Sequence, residues 1–444
     1  MDFDFSALRR FPDVEAPNLQ AWDATDELLV QAALDTDFPE SEIAVIGDEY
    51  GAIALALTAL RRASLAQQPP LRRTPDAESS ALAPGIRVHQ DLVTGRRALA
   101  NNAAHLGLEL PQGHELDERL LAGARLVLLQ LPKSLAELEE IADAVARWAA
   151  SDVTLIAGGR VKHMTLAQND VLARYFGAVQ PQRAARKSRL ITASAALPVP
   201  STPPFPVSQT HRLGEKPLSA RDTTSARVSH AESGFSRENA AADPGTGGGT
   251  ELTLCAHGGA FAGAKLDIGT RALLEVLPQI ARDAPESGAT GAQAPTTHTP
   301  LHAIDLGCGT GALAAAFALQ HPDAVITATD RSAAAVRSAS ATMQANGIAD
   351  RVTVTLDDAG SALPEQSADI ILLNPPFHLG ASVHEGAGRR LIEAAARLTR
   401  EGGEVWTVFN SHLDHRRALS RDVGPTEQVA RTSKFTITRS IRRG

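Results

Sequence analysis

Short runs of branched apolar residues, each closed by a turn and followed by a helical stretch, recur along this chain. Arg125-Leu126-Val127-Leu128-Leu129 and Asp369-Ile370-Ile371-Leu372-Leu373 are two of them. Runs this short and this continuous read as strands buried on both faces, the habit of a parallel sheet. Parallel neighbours need crossover connections, and the stretches between the runs supply them. One of these, Leu135 to Ala149, turns Leu138, Ile141, Val145 and Trp148 inward at helical spacing. The alternation predicts an α/β architecture. At 444 residues the chain exceeds one comfortable core, so two domains are expected.

The first half reads as a helix over 18–34, strands at 43–47, up to Val88, at 125–129 and at 153–157, with helices at 51–60, 95–105 and 135–149. The second half reads as helices at 270–282, 312–320, 332–346 and 386–400. Its strands fall at 301–306, 325–329, 352–356, 369–373 and 404–409, with a closing hairpin over 427–438. Between the halves, Pro198 to Thr250 is rich in Pro, Ser, Thr and Gly. Such a stretch buries too little apolar surface to offset its ordering entropy, so it is read as a linker, with a strand or two near Leu252 to Cys255. The division is therefore 1–197, 198–250 and 251–444. Gln67 to Pro84 and Ala284 to Pro300 read as low-complexity insertions.

The halves look like copies. Leu126 to Leu129 followed by Gln130-Leu131-Pro132-Lys133 lines up with Ile370 to Leu373 followed by Asn374-Pro375-Pro376-Phe377. Lys187 to Thr192 echoes Ser433 to Thr438. Two unrelated α/β domains with similar strand grammar are the competing reading. The formal charge of −8 argues against a general nucleic-acid coat, yet steering depends on the local field. Arg160 to Arg189 is locally basic, with Lys162, His163, Arg174, Arg183, Arg186 and Lys187. Either it grips phosphates or it is a solvated helix face. No apolar run approaches the ~18 residues of a membrane span. The acidic start Met1-Asp2-Phe3-Asp4 lacks a signal peptide's basic region, so a cytoplasmic protein is expected. Cys255 and Cys308 are too isolated for a disulfide framework or a metal site, and no metal is expected.

Two motifs carry chemistry. Asp305-Leu306-Gly307-Cys308-Gly309-Thr310-Gly311 leaves a strand and opens a helix. Its glycines permit a tight turn and close backbone approach to a ligand. Asp305 at the strand end suits a cationic moiety better than a pyrophosphate. Asp330, about twenty residues on, has the spacing of a ribose-binding acid, and a helix N-cap is its other reading. The second motif is Asn374 to Phe377. Two prolines fix two φ angles and remove two donors, so the turn is stiff and cannot extend the sheet. An amide, free carbonyls and an aromatic ring at a strand's carboxyl end can hold a flat, amino-bearing ring by edge and face.

The Asp-x-Gly-x-Gly-x-Gly loop resembles the first motif of class I S-adenosylmethionine-dependent methyltransferases, and Asn-Pro-Pro-aromatic resembles the target turn of those that modify planar amino nitrogens. With Leu19 to Asp23, Leu131 to Leu135, Leu266 to Gly269 and Asn410 to Leu413, the chain resembles tandem-domain ribosomal RNA guanine-N2 methyltransferases, the large-subunit enzyme more closely. The resemblance implies two Rossmann-like methyltransferase domains, the N-terminal one degenerate and binding RNA, with S-adenosyl-L-methionine as cofactor. It implies cofactor contacts from Asp305, Gly307, Gly309, Gly311, Asp330 and Asp358, the last on the adenine amino group, with Asp357 its rival. Asn374 and Pro375 would accept the two N–H hydrogens of the target amine, and Phe377 would stack on the base. Pro376, Lys162, Arg186 and Lys187 would contact substrate, and Lys265 to Thr270 would cover the cofactor. The partner would be ribosomal RNA or a ribosomal subunit precursor, met by a monomer. Adenine N6, a protein glutamine amide, or a non-catalytic RNA-binding assembly factor are the alternatives.

Overall fold

The computed structural model describes residues 3–67, 85–213, 250–280, 300–375, 382–413 and 415–444. Nearly all of the insertions read at Gln67 to Pro84 and Ala284 to Pro300, most of the linker, and Pro376, Phe377 and His378 lie outside the described residues.

Branched apolar runs form strands where they were expected, and further strands at 112–113 and 176–181 were not anticipated. The first sheet comprises β1 (Ile43–Ile46), β2 (Arg87–His89), β3 (Gln112–Gly113), β4 (Leu126–Gln130), β5 (Thr154–Arg160), β6 (Phe176–Pro181) and β7 (Ser188–Ala196). Next come β8 (Val207–Arg212) and β9 (Glu251–Ala256), an antiparallel pair of their own. The second sheet comprises β10 (His302–Leu306), β11 (Val325–Asp330), β12 (Val352–Leu356), β13 (Ala368–Leu373), β14 (Thr399–Asn410), β15 (Thr426–Arg431) and β16 (Phe435–Ile441). The spatial orders are β3-β2-β1-β4-β5-β7-β6 and β12-β11-β10-β13-β14-β16-β15, the same topology twice. Five strands are parallel in each sheet, and the penultimate one in space, β7 or β16, runs antiparallel to both neighbours. This is a Rossmann-like sheet closed by a hairpin, in duplicate.

Register makes the correspondence exact to the residue. Ile46 pairs with Leu129 and Leu306 with Leu373, so Gln130 occupies the position of Asn374. His89 pairs with Ile46 as Thr329 pairs with Leu306, which places Gln90 at the position of Asp330. Gly47 and Gly51 keep φ of +80° and +87°, matching Gly307 at +79° and Gly311 at +77°.

Several expected boundaries move, some for identifiable local reasons. The first helix runs Ala24–Leu34 rather than from residue 18, because Asp23 and Asp26 close a capping box at its start. The helix expected over 270–282 is Ile268–Val276, capped by Asp267, and a 3-10 turn containing Pro278 follows it. Within the stretch read as linker, 207–212 forms β8, since β9 needs an edge partner.

The two domains meet at a seam with approximate two-fold character. Val93 N donates to Arg331 O at 2.9 Å, and Ala333 N donates to Asp91 O at 3.0 Å. These four residues are correspondents exchanged across the seam, and Leu92 bridges Ser332 between them. Arg97 and Arg337, again correspondents, reach across to Asp357 (3.0 Å) and Glu140 (3.6 Å). The Glu140 carboxylate also accepts from Gly258 N at 2.7 Å and meets His257 Nδ1 at 2.6 Å. There the two backbones nearly touch. A Cβ built on Gly258 would lie 2.2 Å from the Ala136 carbonyl oxygen. Gly258→Val should therefore destabilise the full chain by about 1–3 kcal/mol in urea unfolding, as overpacking against rigid backbone does. Gly113→Ala, whose new methyl meets nothing within 4 Å, should change it by less than about 0.5 kcal/mol; equal effects of the two would contradict this account of the seam.

Candidate active site

At the carboxyl ends of β10 and β13 the chain leaves the sheet in opposite directions, as at the switch point of other doubly wound sheets. A cleft of about 420 Å³ opens there. Asp305, Gly307, Gly309, Asp330, Asp358, Asn374 and Pro375 line it, drawn from four strand ends. Gly311 does not. Its Cβ would lie 2.7 Å from Met343 Cε and 3.0 Å from Ala339 Cβ, so this glycine lets two helices approach.

Asp305 is buried, and its carboxylate accepts from Ala314 N at 3.0 Å, inside the first turn of the helix Ala312–Gln320. Burial, with the Asp330 charge added, pushes its carboxyl up to about 7. Asp330 accepts from Gly309 N and Ser332 N, both at 2.9 Å, one on each oxygen. It is not a helix N-cap: Ser332 takes that place, accepting from Ala335 N, and Asp91 of the first domain accepts from Ala334 N. Each Asp330 oxygen keeps a lone pair for a further donor. Gly309, at φ +55°, would have nothing within 4 Å of a Cβ, so the loop backbone is bare toward the cleft. The buried Thr329 Oγ1 has no partner. A cradle of bare backbone, two acids and an unpartnered hydroxyl fits a ligand bearing a cationic group and vicinal hydroxyls.

Asp357 and Asp358 separate clearly. The Asp357 carboxylate is buried and accepts from Arg97, Ser361 Oγ, Ala362 N and its neighbour's N–H. Burial alone would raise it, but the bonds from Ala362, Ser361 and Arg97 together hold it below the usual carboxylate range. It fastens the loop to the first domain. Asp358 instead pairs with Arg390 at 2.8 Å, and Arg390 also reaches Pro12 O at 3.1 Å. Cys308 is a buried thiol pushed far up by burial, which leaves it inert.

Asn374 has the most informative geometry. Its Nδ2 donates to Thr270 Oγ1 at 2.9 Å and to Asp267 Oδ2 at 3.1 Å, while its Oδ1 is buried without a partner. An unmade bond at a buried acceptor costs about 1–3 kcal/mol. A substrate N–H would satisfy it.

The first domain also contributes walls, because Asp13, Val14, Asp91 and Leu92 line the same cleft. Sequence reasoning missed these, and Arg390, because no local pattern marks a contact made across hundreds of residues. A second cleft of about 500 Å³ occupies the corresponding place in the first domain. There Val45, Glu49 and Gln90 stand where Asp305, Gly309 and Asp330 stand in the second. Its Asp48 caps the following helix through Ile53 N and Ala54 N. Lys162 lies in a 3-10 turn after β5, and Arg186 and Lys187 form the tip of the β6–β7 hairpin. The basic run is thus two turn tips at the carboxyl edge of β5 and not one helix face. Among the described residues no cluster of three or more His, Cys, Asp or Glu could hold a metal ion, and no helix is long and apolar enough to cross a membrane.

A family model described as the methyltransferase small domain matches residues 251–439, and one described as the RLMG N-terminal domain matches 1–69 and 79–197. The chain is 31% identical over 432 residues to the ribosomal RNA large subunit methyltransferase G of Pseudomonas fluorescens, covering 97% of this chain and 96% of that one. It is 30% identical over 444 residues to the protein of the same name from Streptomyces griseus, covering 98% and 97%. Among solved structures, a 16S rRNA N2 methyltransferase from T. Thermophilus in complex with AdoMet and guanosine has the same fold, at TM-score 0.65 and 20% identity over 97% of both chains. Similarity of that extent, running through both halves, makes this chain a member of the ribosomal RNA large subunit methyltransferase G family.

Proposed function

We propose that this chain transfers a methyl group from S-adenosyl-L-methionine to the exocyclic N2 of a guanine in large-subunit ribosomal RNA. The observation that carries the reading is the Asn374 amide, whose nitrogen is held by protein and whose buried oxygen is left over. Family membership supports ribosomal RNA as substrate, and the resemblance of the motif set supports guanine N2. When bound, the cofactor supplies an electrophilic methyl group on a sulfonium.

The residues deal with a specific difficulty. An amine conjugated to a purine ring is a weak nucleophile, since its lone pair is delocalised. Asn374 Oδ1 and the Pro375 carbonyl accept its two N–H hydrogens, which fixes the nitrogen and aims the lone pair. Both bonds strengthen as positive charge develops on nitrogen, so the help is greatest at the transition state. The resemblance of the motif assigns Phe377 to stacking on the unstacked base and Pro376 to substrate contact. Asp305 would hold the cofactor's ammonium, Asp330 its ribose hydroxyls and Asp358 its adenine amino group, while Gly307 and Gly309 keep the loop bare and Gly311 seats the helix behind it.

The first domain grips RNA phosphates through Lys162, Arg186 and Lys187. Arg186 and Lys187 adopt φ of +49° and +63°, a two-residue turn that glycine or asparagine would form with less strain. Strain of that kind, held at an exposed basic tip, favours a functional reading. The enzyme works in the cytoplasm as a monomer, its two halves already covering each other's seam.

Replacing Asn374 with Ala should lower kcat for labelled-methyl transfer to large-subunit RNA by on the order of 10²–10³, with cofactor and RNA affinities retained. Full activity in that variant would sink the mechanism, and label found only on adenine would overturn the base assignment. Cofactor affinity should rise with pH between about 6 and 8. A cation beside Asp305, whose carboxyl sits near pH 7, favours the ionised form, so binding expels a proton and is opposed by acid. Calorimetric titration in buffers of different ionisation enthalpy reads that proton, and a flat profile would contradict the placement. A Lys162→Ala, Lys187→Ala double variant should bind RNA more weakly and lose about one to two from the slope of log affinity against log salt.

A further inference from the structure

We propose that Asp267 and Thr270 are positioning residues that lock the Asn374 amide with its nitrogen toward the protein and its oxygen toward the substrate. The inference rests on the reading of Asn374 as the amine acceptor, and it explains what makes that acceptor dependable.

A primary amide turned by half a rotation exchanges a donor for an acceptor with almost no change in shape. Presented the wrong way, Asn374 would offer N–H hydrogens to an amine that also offers N–H hydrogens. The surroundings exclude that state. Thr270 Oγ1 donates its single hydrogen to Asp267 Oδ2 at 2.5 Å. Its lone pairs are then all that it can show to Asn374. The Asp267 carboxylate accepts from Gly269 N at 2.8 Å, Thr270 N at 3.1 Å and Asn374 Nδ2 at 3.1 Å, and with the Thr270 hydroxyl four donors point at its two oxygens, so acceptor capacity is all it shows. Both neighbours of the amide nitrogen are thus acceptors only. A turned amide would lose two bonds and set an oxygen against a carboxylate and a spent hydroxyl. Bonds in such a chain polarise one another, so the carboxylate behind Nδ2 also enriches Oδ1 in electron density.

The first domain carries the same arrangement in altered form. Its helix Ala24–Leu34 starts from Asp23 and Asp26, at the spacing of Asp267 and Thr270, and Gln130 Nε2 donates to Asp26 at 2.5 Å. Anchoring the strand-end amide to this helix start is therefore built into the fold. The hydroxyl of Thr270 is what the catalytic copy has in place of a second acid.

The test compares full-length wild type with Thr270→Val, which keeps shape and removes the hydroxyl, and Thr270→Ser, which restores it. In protein labelled with ¹⁵N at asparagine, the side-chain pair missing from Asn374→Ala identifies the Asn374 amide. Its hydrogens should exchange slowly in wild type and in the serine variant, and at least about tenfold faster in the valine variant. In parallel, Thr270→Val should lose on the order of ten- to hundredfold in kcat at saturating cofactor, with RNA KM within about twofold, and Thr270→Ser should stay close to wild type. A merely structural threonine would shift cofactor affinity or melting temperature without separating valine from serine. Wild-type exchange and turnover in Thr270→Val would overturn the proposal. Should Asn374→Ala itself keep full transfer, the acceptor role fails, while the exchange measurement still decides whether Thr270 holds the amide.

Discussion

Two reciprocal main-chain hydrogen bonds, Val93 to Arg331 and Ala333 to Asp91, set the geometry on which everything else rests. They join two sheets of identical topology at corresponding points, just beyond their second strands. Each domain consequently places residues just beyond its second strand against the other's cleft. Asp91 and Leu92 line the cleft of the second domain, and Ala334 and Arg337, on the helix that follows, line that of the first. The seam also supplies a helix start: Asp91 satisfies an orphan N–H of the helix Ala333–Ala345, directly behind Asp330. The first domain is therefore part of the wall of the second domain's cleft and of its helix capping.

The degenerate cleft shows how little a fold needs in order to keep its shape. The glycines that its turn requires, Gly47 and Gly51, remain at positive φ. The residues that would meet a ligand have changed: Val45 for Asp305, Glu49 for Gly309, Gln90 for Asp330 and Gln130 for Asn374. Burial raises Asp48 to about 6, yet it is spent on capping its helix. Folding constraints and chemical constraints fall on different residues of one loop. That separation allowed one copy to lose its chemistry without losing its structure.

Much of this was legible in the sequence, for reasons that can be stated. Strands buried on both faces are continuous apolar runs, so β4 and β13 announce themselves, and equal loop grammar at their ends located Gln130 opposite Asn374. The Gly-rich loop and Asp330 follow from spacing along adjacent strands. What stayed hidden lies at long range or in low-contrast segments. β8 is polar, exposed and embedded in a Pro-rich stretch, so nothing local distinguishes it from linker. Thr270 and Asp267 meet Asn374 from more than 100 positions away, and Arg97 meets Asp357 across 260. Charge density alone also could not tell a helix face from two turn tips, because it carries no periodicity over so short a run.

The exchange symmetry of the seam has a consequence for how such a chain can hold together. A contact in which residue i meets j while the counterpart of i meets the counterpart of j is the kind that a two-fold dimer makes. Between separate subunits it would have to overcome the entropy of association. Within one chain the partner is present at a high effective concentration, fixed by the connection through β8 and β9. Main-chain bonds, side-chain hydrogen bonds such as those of Asp91 to Ala334 N and Glu140 to Gly258 N, and a few ion pairs can then serve where free subunits would need an extensive apolar face. The surface so released from sticking to a partner is available to be charged and wet.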